Sequence, residues 1–216
     1  MTRMARIAVD IVLLPDEAMM NYAIAANAEI AAKFGSEIVL NKRDCLPHIS
    51  LVMGCVKGGD IARIGELLQP MVSSAPRWLK LVGIQKSTGF SGEIVSALQV
   101  ERSDGLQKLH EKICDSVKPW FTYDVTGEMI AGGRALSTSS PLRSKSYAGQ
   151  ASPSTLQWIK EYPVKSSGFN FSPHITIGYG DLSDRVLPVD FAVSRLAMCH
   201  LGNHCTCTTI LWSAEI

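Results

Sequence analysis

Residues Ile7, Val9, Ile11 and Leu13 alternate with Ala8, Asp10 and Val12, the period of a strand. Pro15, Asp16 and Glu17 then open an alanine-rich run that closes at Lys33 and Gly35, the punctuation of a helix. The order repeats. A strand over residues 47–56 leads to Asp60 as an N-cap and to Ile61, Ile64, Leu68 and Met71 at helical spacing. Residues 78–86 and 93–101 read as two strands joined by the turn Gly89-Phe90-Ser91-Gly92. Leu106, Leu109, Ile113 and Val117 line one face of a third helix, which Pro119 ends. Residues 127–154 are rich in Gly, Ser and Pro and poor in large apolar groups, the composition of an exposed, flexible insertion. Ser152-Pro153 then suits an N-cap with proline at the first helical position, starting a short helix through Trp158 and Ile159. Residues 189–201 and 206–214 form a hairpin around Gly202-Asn203.

One segment occurs twice. Pro47-His48-Ile49-Ser50-Leu51 returns as Pro173-His174-Ile175-Thr176-Ile177, and a glycine stands six residues after each histidine, Gly54 and Gly180. In an extended strand the imidazole and the hydroxyl two residues later share a face. A histidine beside a proline in an apolar strand is most often just a packed side chain; the repetition favours a functional pair instead. With the mix of hairpins and strand-helix units, the duplication predicts an α+β fold within a single domain over 1–216. It would be bilobal, with two pseudo-symmetric lobes of mostly antiparallel sheet and flanking helices around a central cleft.

The pair suits phosphodiester chemistry without a metal. One imidazole takes a proton from the attacking oxygen and the other gives one to the leaving oxygen, since histidine titrates near neutrality. Ser50 and Thr176 would donate to the non-bridging phosphate oxygens.

Composition narrows the substrate. Lys and Arg number 21 against 20 acidic residues, a formal net charge of +1, which argues against a partner that is a long nucleic-acid duplex and for a small or terminal phosphate. Arg3 and Arg6 precede the apolar run 7–14, but Asp10 interrupts it, so a buried strand is expected there rather than a signal peptide. No run is long enough to cross a bilayer; a cytoplasmic monomer without membrane contact is expected. The six cysteines lack a C-x-x-C pair and are expected to be reduced. Cys199, His200, His204, Cys205 and Cys207 match no standard zinc spacing, so no metal and no cofactor is expected. His110 is expected to be structural or solvent-facing.

His48-Ile49-Ser50-Leu51 and His174-Ile175-Thr176-Ile177 resemble the paired H-x-[ST]-x signature of the two-histidine (2H) phosphoesterase superfamily. Its members include LigT-like RNA 2',3'-cyclic phosphodiesterases, once named 2'-5' RNA ligases, and plant and yeast cyclic nucleotide phosphodiesterases. The resemblance implies a bilobal α+β fold, metal-independent chemistry and catalytic His48 and His174, with Ser50 and Thr176 on the phosphate. It implies hydrolysis of a 2',3'-cyclic phosphate on a nucleotide or RNA end. Alternatives are a 2'-5' oligonucleotide phosphodiesterase and a non-catalytic nucleotide- or RNA-binding module.

Two departures bear on the substrate. The interval between the motifs is long, and residues 127–154 account for the excess. Bacterial LigT-like members tend to carry an arginine shortly after the second motif, where this chain has Gly178, Tyr179 and Gly180. A positive contact would come from Lys42, Arg43, Arg143 or Lys145, and an aromatic face for a base from Tyr147, Phe171 or Tyr179. In a straight strand, however, Phe171 and Tyr179 lie opposite His174 and Thr176.

Overall fold

Polar residues set the helix starts. Asp16 accepts the Met19 N–H at 2.8 Å, Ser103 accepts the Leu106 N–H at 3.3 Å and Ser152 accepts the Thr155 N–H at 3.2 Å, each filling a backbone donor that a helix N-terminus leaves open. A computed structural model describes residues 5–35, 37–89, 92–131, 151–182 and 187–216. In chain order the elements are β1 (Arg6–Pro15), α1 (Glu17–Phe34), β2 (Ile49–Lys57), α2 (Ile61–Leu68), β3 (Trp78–Thr88), β4 (Ile94–Val100), α3 (Asp104–Val117), α4 (Pro153–Lys165), β5 (His174–Tyr179), β6 (Asp190–Leu201) and β7 (Cys207–Glu215). Among the described residues no helix is long and apolar enough to cross a membrane.

Three expectations need correction. Asp60 does not cap α2; it ends a 3-10 turn over Gly58–Asp60 and makes no capping bond. Helix α2 stops at Leu68, and Gln69–Ser74, with Pro70, continues as 3-10 turns. The 127–154 segment begins with structure, a 3-10 turn over Gly127–Met129 and a bridge from Ala131 to Gly202, whereas Ser152 caps α4 as expected and the helix runs on to Lys165. Residues 132–150, with Arg134, Arg143, Lys145 and Tyr147, lie outside the described residues.

Every strand pair is antiparallel, in the order β2-β1-β6-β3-β4-β5, with β7 also on β6. The two expected lobes are therefore sectors of one sheet. Strands β2, β1, β6 and β7 make one sector and β3, β4 and β5 the other, joined where Trp78–Lys80 pairs with residues 190–192. β1 lies between two neighbours and is buried from Ala8 onward.

The histidine strands share an irregularity. β2 slips by one residue opposite Ile11 and Val12, leaving Leu51 unpaired, and β5 slips opposite Ser96 and Ala97, leaving Ile177 unpaired. Each bulge falls three residues after a histidine and takes one carbonyl out of the ladder. A buried carbonyl needs a donor. Leu51 O receives His110 Nδ1–H from α3 and Tyr162 Oη–H from α4, both at 2.7 Å. Ile177 O receives Asn27 Nδ2–H from α1 at 2.7 Å. The helix between β1 and β2 thus supports β5, while the helices between β4 and β5 support β2, and packing follows the same crossed pattern.

The repeated glycines complete the symmetry. A Cβ at Gly54 would sit 2.6 Å from Phe121 Cδ2, and one at Gly180, which has a φ of +128°, would collide with the Phe34 ring. Phe34 ends α1 and Phe121 follows α3, so each helix also lays a ring over the glycine of the opposite histidine strand.

Asn27 carries the heavier duty. Its amide also donates to Ile38 O at 2.9 Å, and its oxygen accepts the Leu40 N–H at 2.9 Å. Asn27→Ala is expected to cost about 3–5 kcal/mol in urea unfolding, because three buried backbone groups lose their partner. Tyr162→Phe leaves His110 on Leu51 O and should cost about 1 kcal/mol. Similar small losses in both variants would refute this account.

Candidate active site

His48 and His174 are fixed in the same way. His48 Nδ1–H donates to Leu46 O at 2.7 Å, and His174 Nδ1–H donates to Ser172 O at 2.8 Å. A carbonyl can only accept, so in each neutral ring the lone pair stands at Nε2. The carbonyl-bearing segments are themselves anchored. The Leu46 N–H donates to Cys207 O at 3.0 Å, tying the loop before His48 to β7, and Pro173 O accepts the Val100 N–H at 3.0 Å beside β4. Within that loop Asn41 Oδ1 takes the N–H groups of Arg43 and Asp44.

The rings are half-buried and neutral. Burial pushes His48 down to about 4, against the opposing pull of the Leu46 carbonyl, and a proton on His174 lowers it further. Burial also lowers His174. The two imidazoles therefore lie within electrostatic reach of each other, on strands that pack together without pairing.

The hydroxyls differ. Ser50 Oγ lies 2.6 Å from Asp10 Oδ2, which is also 3.7 Å from His48 Nε2. Among the described residues the Thr176 hydroxyl has no hydrogen-bond partner. Asp10 is the residue that motif reading misses. Its signal is an acidic side chain in the middle of an apolar run, on the face shared with Val12, which pairs with Ser50.

The other candidates separate by position. Lys42 is bound to Glu17 at 2.8 Å, and Arg43 is exposed on the 41–45 turn. Phe171 is 3% exposed and stacks on His110 at 4.1 Å, so it packs in the core and offers no face to a base. His110 is structural and fully buried, accepting the Gly168 N–H on Nε2. Tyr179 reverses the straight-strand expectation: the bulge at Ile177 returns it to the face of His174 and Thr176, since their partners Val95, Ala97 and Gln99 alternate regularly on β4. Its hydroxyl is 2.8 Å from His204 Nδ1, and His204 Nε2 is 3.2 Å from Glu37. Arg143, Lys145 and Tyr147 fall outside the described residues. Among the described residues no three His, Cys, Asp or Glu side chains are grouped to hold a metal ion.

No family model and no curated protein matches the chain. Among solved structures it is similar to a phosphoesterase at 11% identity and a TM-score of 0.48, covering 98% of this chain and 99% of that one. It is also similar to E. coli LigT in its apo form, at 11% identity and a TM-score of 0.48 with 97% of each chain covered. LigT complexed with phosphate gives 12% identity and a TM-score of 0.47, again with 97% of each chain covered.

The depressed His48 has a measurable sign. The folded ring resists a proton that the unfolded chain accepts near 6.5, so His48 stabilises the fold above that pH and loses this contribution as pH falls toward about 4. Imidazole nitrogen shifts in the free protein should show His48 still neutral, with Nδ1 protonated, at pH 6. Titration near 6.5 would contradict the burial described above.

Proposed function

We propose that this chain is a metal-independent 2H phosphodiesterase that opens a 2',3'-cyclic phosphate on a nucleotide or RNA end. One observation carries the reading: two imidazoles in the same tautomer, each with a hydroxyl two residues on, stand within electrostatic reach of each other.

In this reaction one Nε2 takes a proton from water as the water oxygen attacks phosphorus. The bond from phosphorus to one ribose oxygen breaks, and the other ring, protonated in the anionic complex, gives its Nε2 proton to that oxygen. One water is consumed and a phosphate monoester with a free neighbouring hydroxyl is formed. The Nδ1–H bonds to Leu46 O and Ser172 O hold the rings through both proton transfers. The hydroxyls of Ser50 and Thr176 steady the charge on the non-bridging oxygens.

The test uses protein treated with EDTA and a panel of 2',3'-cyclic nucleotides, RNA ends and 2'-5' linked oligonucleotides. His48→Ala and His174→Ala should each lower kcat by about 10²–10⁴-fold on the cyclic phosphate. Turnover of the 2'-5' linkage alone would move the substrate. Saturable binding without turnover would make the site a binding module, and activity lost to EDTA would refute the metal-free mechanism.

A further inference from the structure

Asp10 sits in the middle of β1 with none of its surface exposed, opposite Met53 on β2 and Cys199 on β6. Oδ2 faces Ser50 Oγ at 2.6 Å and His48 Nε2 at 3.7 Å, whereas Oδ1 is buried with no hydrogen-bond partner among the described residues. Among the described residues, the titratable groups around it are His48 just before β2, Tyr162 on α4, Cys199 opposite it on β6, Cys205 in the turn before β7 and Cys207 on β7. None of these is a lysine or arginine. A carboxylate here would keep one oxygen dry and unpaired, and burial pushes Asp10 up to about 8. With His48 also resisting charge, the pair rests as a neutral acid beside a neutral imidazole.

The second motif lacks this device. The residue of β4 that answers to Asp10 is Val95, opposite Tyr179 as Asp10 is opposite Met53. Among the described residues Thr176 accordingly meets no carboxyl group.

The proton decides where the Ser50 hydrogen points. A 2.6 Å contact between two oxygens holds one hydrogen. If Asp10 is ionised, Ser50 must donate to it, and a negative charge stands behind the phosphate site. If Asp10 is neutral, its own O–H donates to Ser50 Oγ, and the Ser50 hydrogen turns outward.

We propose that Asp10 is a positioning residue that works in its neutral form, donating its carboxyl hydrogen to Ser50 Oγ so that the Ser50 O–H is free for a phosphate oxygen. This rests on the phosphate-site reading above. Ionisation of Asp10 then disarms Ser50. Because the folded acid holds its proton well above the usual carboxylate range, competence is present below about pH 8 and lost above it.

Sulfate is the probe, because it keeps a constant charge between pH 6.5 and 9 and its binding does not depend on turnover. Calorimetric affinity for wild-type protein should fall about tenfold from pH 6.5 to 9, the fraction of competent molecules one unit above the transition. Asp10→Asn, which can donate to Ser50 Oγ but cannot ionise, should hold its affinity across that range, and in Ser50→Ala the same substitution should no longer rescue binding at pH 9. Equal pH dependence in wild type and Asp10→Asn would overturn the proposal. Should Asp10→Asn not fold, infrared difference spectra of the wild type must show a protonated carboxyl band at pH 6.5 that is gone at pH 9; its absence would be equally fatal. Sulfate binding that follows this pattern without any turnover of cyclic phosphates would refute the hydrolase reading and leave Asp10 in its role.

Discussion

Two peptide carbonyls, Leu51 O and Ile177 O, leave the sheet ladder inside the protein, and the rest of the architecture is arranged around the donors they require. An unpaired carbonyl in a dry interior costs on the order of 1–3 kcal/mol, so each bulge is tenable only if a side chain arrives to fill it. Asn27 fills one; His110 and Tyr162 fill the other. Because these donors cross between the two strand-helix-strand units, neither unit can satisfy its own histidine strand. The relative placement of His48 and His174 is accordingly set by helices, since β2 and β5 make no ladder with each other.

This scaffold is nearly two-fold, but its chemistry is not. Tautomer, bulge and ring-over-glycine contact are repeated at both motifs. A carboxyl group then distinguishes them: Asp10 stands beside His48 and Ser50, while Val95 occupies the matching place beside His174 and Thr176. A reaction that needs one base and one acid gains from such a difference, because symmetric groups would have to be told apart by the substrate alone.

Much of this could be read from residue order, and the misses at the site share a cause. The caps at Asp16 and Ser152, the antiparallel hairpins and the repeated motif are local signals, and local geometry obeys them. Bulges carry no residue signature here, so strand parity placed Tyr179 on the wrong face once the register slipped at Ile177. Asp10 reads as an interruption of an apolar run because its meaning lies in a neighbour forty residues away. Phe171 looks like a stacking face until His110 is seen against it. In each case the deciding contact is long-range, and only packing supplies it.

The bridge between Leu46 and Cys207 bears on the order in which the chain is made. His48 takes its orientation from Leu46 O, and Leu46 is held by β7, which is synthesised after every other strand. The first histidine thus emerges early but has no fixed imidazole until the C-terminal hairpin closes over its loop. A nascent chain carrying both motifs still lacks the anchor of its first imidazole, which arrives only with β7.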